Sequence, residues 1–522
     1  MVYNHSFPDI VLHLWCLGDD VDMQKWGLFA LISLCQDSIN VTQDVSFHLS
    51  IIADGVANVS GCEHVNPYKL TLLGISQVLP KEYEKARCQL IDINTNVKDE
   101  INIDSILYEL ATNNNSEVAL RGLRRFIKDY ARIKLGEEFL GHNILEATKN
   151  YLIIGGLGNF GMELAEFIGA VNKGRVFLTT RINFPKLENW DLWLAEKGLE
   201  NSISKKILYL KGIMQKGADI NILKGDVTNR YDLEAIKHYI EQNYGSINGV
   251  IHAAGIVESG MLQHKTRESL NNVFAAKIQG TENVCKVFLP SKPDFIILCS
   301  SMNAIIGGLG QIDNTAANAF VDGYAEYCLN NGHDNVLAIN WGAVNEARAR
   351  NYSALPQFAE LSREHIKNRM TKDETFDVYR RIFSSKILPR IVISTIDFNE
   401  VVKNWNRVGS LQALLRQVDC HKKDRQEVVQ NEYKVPNSSM EVQIAKLWQE
   451  LLGINQVGLK DNFFELGGNS LIAIQFIGKL TNQYPIKMHA MSIYEYPSLL
   501  EFSAYVEQLV REAQEKQQLI DG

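Results

Sequence analysis

The chain has 522 residues, 46% hydrophobic and 22% charged. That is enough for about three domains with sizeable cores, and it excludes a disordered or collagen-like chain. A net charge of -8 gives nucleic-acid binding no bulk support, no run of about 18 apolar residues marks a membrane span, and no secretory leader opens the chain. None of the eight cysteines forms a CxxC pair, which fits reduced, mostly buried thiols in a cytoplasmic protein and argues against a metal site or a disulfide framework.

Residues 1–140 alternate apolar runs with turn signals and show no phosphate loop. The next regime, 141–400, repeats strand, Gly-rich turn and helix. It begins with the apolar run Tyr151–Ile154, then Gly155, Gly156, Gly158 and Gly161, then a helical pattern and a second strand around Val176–Leu178. This is the βαβ context of a dinucleotide-binding turn, in which glycines let the backbone approach a pyrophosphate at a helix N-terminus. A glycine cluster alone also serves an ordinary tight turn. About 25 residues past Gly155, where an acid would bind a ribose hydroxyl, stands Arg181. A cation there pairs with a 2′-phosphate and favours NADP over NAD; the alternative is an exposed arginine after a strand. Further apolar runs end in Gly225-Asp226-Val227, His252-Ala253-Ala254-Gly255, Ser300-Ser301 and Asn340-Trp341-Gly342, the polar strand ends of a doubly wound parallel sheet. Helix and strand patterns around Thr375–Phe383 and Ile391–Ser394 complete this regime. Residues 401–437 read as a linker, charged and proline-bearing in their later part, and 438–515 as a small four-helix bundle.

In order and spacing, the segment from about 150 to 345 resembles the ketoreductase domain of modular polyketide synthases, within the short-chain dehydrogenase/reductase superfamily. The motifs that carry the likeness are the glycine cluster, Gly225-Asp226-Val227, His252–Gly255, Lys277, Ser300-Ser301, Ala316-Ala317-Asn318-Ala319-Phe320 and Asn340-Trp341-Gly342. The resemblance implies an NADPH-dependent β-ketoacyl thioester reductase. Asp226 and Val227 would lie near the adenine, and Ala253 and Gly255 beside the cofactor. A Ser, Tyr, Lys and Asn set would work on the substrate. The serine maps onto Ser301, the lysine onto Lys277 and the asparagine onto Asn318. The tyrosine, 13 residues after the serine and 4 before the asparagine, maps onto Asn314. Reduction of a ketone needs a proton on oxygen as well as a hydride on carbon, and an amide delivers no proton readily. An impaired or silent reductase follows as the expectation. The family's usual threonine before the glycine pair is Ile154, and the family's stereochemical signatures are absent at Val257-Glu258-Ser259 and Ile306.

The first 140 residues resemble the later part of the family's structural, cofactor-free Rossmann-like subdomain, here short. Either a preceding polypeptide supplies the missing strands, or the chain is a fragment or a decayed piece of a larger synthase; an open sheet edge is then expected, which favours a partner upstream. Glu346–Leu355 is expected as a substrate lid. At the C-terminal end, Phe463-Phe464-Glu465-Leu466-Gly467-Gly468-Asn469-Ser470 resembles the attachment motif of acyl and peptidyl carrier proteins. That likeness implies 4′-phosphopantetheine on Ser470, where a helix N-terminus favours the phosphate.

The reading is a truncated structural Rossmann-like subdomain (1–140), a catalytic NADP-binding Rossmann subdomain (141–400), a linker (401–437) and an all-α carrier (438–515), without metal. Its partners are a phosphopantetheinyl transferase, ketosynthase and acyltransferase modules or subunits, and an acyl thioester substrate, with neither nucleic acid nor membrane. The alternatives are a redox-silent scaffold beside a working carrier, or a non-reducing epimerase.

Overall fold

The computed structural model describes residues 8–18, 27–42, 47–83, 85–95, 101–112, 115–133, 145–171, 173–199, 201–256, 258, 260–342, 370–384, 388–408, 433–466, 470–484, 486, 488 and 492–521. The expected lid, Val257, Ser259 and Gly467–Asn469 lie outside them. Two compact units are present, the larger holding two sheets and the smaller the C-terminal helices.

The first sheet has the order β1-β2-β3-β4-β5. Its strands are β1 (Ile10–Cys16), β2 (His48–Asp54), β3 (Arg87–Ile93), β4 (Glu117–Arg121) and β5 (Arg124–Phe126), interleaved with α1 (Phe29–Thr42), α2 (Pro67–Leu70), α3 (Leu73–Glu82) and α4 (Ile103–Thr112). The first four strands are parallel, and β5 returns antiparallel as a short hairpin. Among the described residues β1 is an edge strand of this sheet. Ile10, Leu12, Leu14 and Trp15 are exposed on it, whereas His13 and Cys16 are buried. Charges tie the strand ends together. Arg121 donates to Glu63 and Asp92, and Lys69 to Asp54.

The second sheet is all parallel, with order β12-β11-β10-β9-β6-β7-β8. Its elements run β6 (Asn150–Ile154), α5 (Asn159–Ala165), β7 (Arg175–Thr180), α6 (Trp190–Lys197), α7 (Ser202–Gln215), β8 (Asp219–Lys224), α8 (Arg230–Tyr244), β9 (Ile247–His252), α9 (Arg267–Phe274), α10 (Gly280–Phe288), β10 (Phe295–Ser301), α11 (Asn303–Ile306), α12 (Ile312–Asn330), β11 (Val336–Trp341), α13 (Lys372–Phe383), β12 (Arg390–Ile393) and α14 (Phe398–Val408). Strands such as Tyr151–Ile154 and Phe295–Cys299 are buried throughout, as the two-sided cover of a parallel sheet requires. Strand order reverses between β6 and β9. In such sheets the crevice beyond the carboxyl ends at that reversal receives ligands.

The two sheets meet on α12. A Cβ on Gly74 of α3 would stand 2.7 Å from the Ala316 Cβ and 2.8 Å from the Ile312 carbonyl, and one on Gly323 would meet Leu70 at 2.8 Å. The Gly310 N–H donates to Glu82 at 3.0 Å. Backbone and small residues thus press α2 and α3 against the helix carrying positions 314 and 318.

The smaller unit contains α15 (Ser439–Leu452), α16 (Ser470–Gln483), α17 (Ser492–Glu495) and α18 (Leu499–Asp521). A capping box forms at α15: Ser438 accepts from the Glu441 N–H while the Glu441 carboxylate reaches back to the cap. Trp448, Phe463, Phe476 and Phe502 are fully buried at its core. No helix among the described residues is long and apolar enough to cross a membrane, and no cluster of metal-ligating side chains is found among them.

Candidate active site at the sheet reversal

The glycine turn leaves β6 at the reversal and meets the end of β9. Gly155 has φ +77, and a Cβ on it would lie 2.7 Å from the Ala254 backbone; only glycine fits both demands. A Cβ on Gly161 would lie 2.7 Å from Gly156 Cα, so helix α5 packs directly on the turn, whereas Gly158 faces open space apart from the Gly155 carbonyl. Gly158 is the N-cap of α5 and offers no capping side chain, leaving the first-turn N–H groups as an anion cradle. The Ala253 N–H donates to the Ile154 carbonyl at 2.9 Å, and the same strand-end loop brings Gly255 against Lys277, whose Cε would be 2.8 Å from an added Cβ.

Around this cradle, Arg181 is exposed beyond the end of β7 and has no ion-pair partner among the described residues. Asp226 accepts from the Thr228 N–H and hydroxyl, both at 2.9 Å, and Val227 is buried against Gly280. The glycine turn, the uncapped helix and the free guanidinium fit the pyrophosphate and 2′-phosphate of NADPH. His252 is fully buried; burial first, then Lys277, pushes its pKa down to about 3, so the ring is neutral. Its Nε2 donates to the Ala276 carbonyl at 3.1 Å.

Lys277 sits in a π-helical turn, Ala275–Gln279, between α9 and α10. Such one-turn bulges recur at functional sites because they re-aim a side chain. Here the ammonium donates to the Cys299 carbonyl at 2.5 Å, two residues before Ser301. The adjacent serines have different environments. Ser300 is buried, donating to the Asn318 carbonyl at 3.2 Å and accepting from Asn340 at 3.1 Å. Ser301 is half-buried and accepts from the Asn303 N–H at 3.2 Å.

Asn314 stands in the first turn of α12 and is nearly buried. Its Nδ2 donates to Gln311 Oε1 at 3.1 Å, and its Oδ1 accepts from Asn318 Nδ2 at 2.8 Å. Gln311 Oε1 also accepts from Asn303 Nδ2 at 2.7 Å. The Thr315 hydroxyl turns away and accepts from the Gly308 N–H at 3.3 Å. Tyr324 and Tyr327 pack against each other. Tyr324 begins about 15 Å further along the helix than residue 314, at 1.5 Å per residue, and neither hydroxyl replaces an acid at 314. Asp313, fully buried, pairs with Lys265 at 2.5 Å, and Lys265 donates also to the Glu258 carbonyl at 2.9 Å. This pair fixes the first turn of α12.

The structure therefore brings the glycines, Ala253 and Gly255 to one loop junction, and Ser301, Asn314 and Asn318 to one hydrogen-bonded group. Lys277 joins that group through the β10 backbone. Of Ser470 the structure describes the backbone, as the first residue of α16. Three participants escape a reading by motif: Gln311, Asn303 and the Lys265–Asp313 pair. The spacing of Gln311, Asn314 and Asn318 puts three amides on one helical face, a signal present in the sequence; Asn303 reaches them from another element.

Residues 149–346 match the KR domain family, and residues 442–506 match the phosphopantetheine attachment site family. Among curated proteins the chain is similar to polyketide synthase PksN of Bacillus subtilis, 30% identical over 275 residues, covering 52% of this chain and 5% of that protein. It is also similar to 6-methylsalicylic acid synthase of Penicillium patulum, 30% identical over 235 residues, covering 44% and 13%. The chain thus spans a small fraction of these relatives' length. Among solved structures it resembles the first ketoreductase of the tylosin polyketide synthase, with TM-score 0.58, 21% identity and coverage of 76% of this chain and 80% of that one. It also resembles a multidomain structure with adenylation, ketoreductase and pseudo-Asub parts from a keto acid-selecting nonribosomal peptide synthetase module, with TM-score 0.62, 20% identity and coverage of 76% and 32%. KR domains use NADPH, and phosphopantetheine attachment domains carry 4′-phosphopantetheine. The chain thus carries one segment that matches the KR domain family and one that matches the phosphopantetheine attachment site family, and the curated proteins it is similar to include polyketide synthases.

Proposed function

We propose that this chain is a ketoreductase–carrier segment of a modular polyketide or mixed polyketide–peptide synthase in which the carrier works and the reductase domain is silent. Ser470 tethers the β-ketoacyl thioester through 4′-phosphopantetheine after a phosphopantetheinyl transferase has acted, and ketosynthase and acyltransferase partners supply the chain. NADPH is held by Gly155, Gly156, Gly158 and Gly161 at its pyrophosphate, by Arg181 at its 2′-phosphate, and by Asp226, Val227, Ala253 and Gly255 along its length.

NADPH supplies a hydride when bound. The residues decide what becomes of the carbonyl oxygen. Ser301 donates a hydrogen bond to it. Lys277 and Asn318 organise the surroundings, Lys277 through the β10 carbonyl and Asn318 through Asn314. No group at position 314 transfers a proton, so an alkoxide left by hydride addition would have no acid to protonate it to the alcohol.

The observation that carries this reading is the state of Asn314, whose amide is held at its oxygen by Asn318 and at its nitrogen by Gln311. The retained glycine cradle favours a domain that still binds its cofactor over a wholly decayed scaffold. The test is NADPH oxidation with a β-ketoacyl N-acetylcysteamine thioester. A native chain without turnover that binds NADPH supports the proposal; turnover at the rate of ordinary reductases overturns it.

A further inference from the structure

The groups that replace the acid form a string, and the string has a direction. Ser301 Oγ accepts from the Asn303 N–H. Gln311 Oε1 accepts twice, from Asn303 Nδ2 at 2.7 Å and from Asn314 Nδ2 at 3.1 Å. Asn314 Oδ1 accepts from Asn318. At Ser301, Gln311 and Asn314 the oxygens are therefore engaged, and what is left over is donor. The Ser301 hydroxyl hydrogen, the Gln311 Nε2 group and the second N–H of Asn314 have no partner among the described residues. Gly308 makes the string possible, since a Cβ on it would lie 3.0 Å from Asn303 Nδ2 and 3.1 Å from Gln311 Oε1.

Neutral donors held by a fixed network, with no acid among them, are suited to an oxygen that carries negative charge and is to keep it. The surrounding charges agree. Lys277 lies two residues up the strand at the Cys299 carbonyl. Asp313 is neutralised by Lys265. Asp322 is buried beneath Asn340, which donates to it at 2.7 Å. His252 stays neutral.

We propose that Ser301, Gln311 and Asn314 form an oxyanion site for the enolate of a β-ketoacyl thioester. The inference rests on the reading of position 314 as a place without an acid, and it adds the ligand's state. The α-proton leaves to buffer or water, the electron pair moves onto the carbonyl oxygen, and that oxygen receives hydrogen bonds from the three side chains. No bond to the protein forms and no electron is transferred to or from cofactor.

The experiment uses the full chain and acetoacetyl N-acetylcysteamine thioester, following the near-ultraviolet enolate band across a pH titration. The expected result is an apparent α-proton pKa lowered by about one unit, a tenfold preference for the enolate. Asn314→Leu, checked for native melting, is expected to abolish the shift. Gln311→Met serves the same purpose if that variant does not fold. An unshifted band, absence of thioester binding, or an equal shift in the variants overturns the proposal. NADPH oxidation by the native chain overturns the silent-reductase reading instead, and it is recorded separately from the enolate band.

Discussion

Asn318 donates to both the backbone carbonyl and the side-chain oxygen of Asn314, each at 2.8 Å, from one helical turn further along α12. The amide that replaces an acid is thus fastened from behind by its own helix. Asn318→Ala removes both bonds but also removes the buried Oδ1 of Asn318, which has no partner among the described residues. The expected net cost is about 1 kcal/mol, read as a lowered urea midpoint with unchanged slope.

Restoring the acid is the direct counter-experiment. Asn314→Tyr puts a phenol where proton delivery is needed. General acid catalysis contributes about 10²–10⁴-fold, so NADPH oxidation with a β-ketoacyl N-acetylcysteamine thioester is expected to rise by at least ~100-fold over the native chain. A variant that folds and binds NADPH yet stays at background would show that the rest of the cleft is also misplaced.

Cofactor choice is tested at two positions. Gly155→Val forces a side chain into a left-handed backbone and into the Ala254 backbone 2.7 Å away; NADPH binding, followed by fluorescence, is expected to be lost. Arg181→Ala leaves the turn intact. It is expected to weaken NADPH about tenfold and leave NADH unchanged.

Two carboxylates three residues apart pull stability in opposite directions. Burial raises the Glu163 pKa to about 7. Glu166, although burial raises it too, is driven down to about 2 by hydrogen bonds from Lys216, Lys372 and Tyr209. Glu163 holds its proton in the folded state between about pH 4.5 and 7, while the unfolded chain has lost it, so its contribution disappears as pH rises through 7. Glu166 contributes above pH 4.5 and loses that contribution as pH falls toward 2. Stability from this pair is greatest near pH 5. Glu163→Gln is expected to flatten the alkaline side by on the order of 2 kcal/mol, measured by unfolding at pH 5 and pH 8.

The Lys265–Asp313 pair is nearly inaccessible to solvent on both sides. Lys265→Met leaves a buried carboxylate unpaired and is expected to cost about 3–5 kcal/mol; Lys265→Met with Asp313→Asn is expected to recover much of it. Equal losses in the single and double variants would show that Lys265 acts through packing alone.

Much of the fold was legible because its chemistry is local. A glycine that must adopt φ +77, a strand buried on both faces and a serine with glutamate three residues on are each written in a few adjacent residues. Gly155, β6 and Ser438 follow directly. That position 314 holds an amide and not a phenol was equally plain, since the position follows by counting from Ser301 and Asn318. What the sequence did not reveal depends on contacts between different elements. Asn303 meets Gln311 only after β10 and α12 are placed. Lys265 finds Asp313 across 48 positions. The π turn at Ala275–Gln279 has the same apolar pattern as the helices on either side, so periodicity passes over it.

The contact between α3 and α12 gives the first sheet a second meaning. Gly74 touches the helix at Ala316, midway between the residue that lacks the acid and the one that holds it in place. At 2.7 Å there is no slack for another methyl group. The first half acts as the mould against which the candidate site on α12 is cast. A substitution in the first sheet that moves α3 by an ångström would therefore reach Asn314 and Asn318 as surely as one on α12 itself.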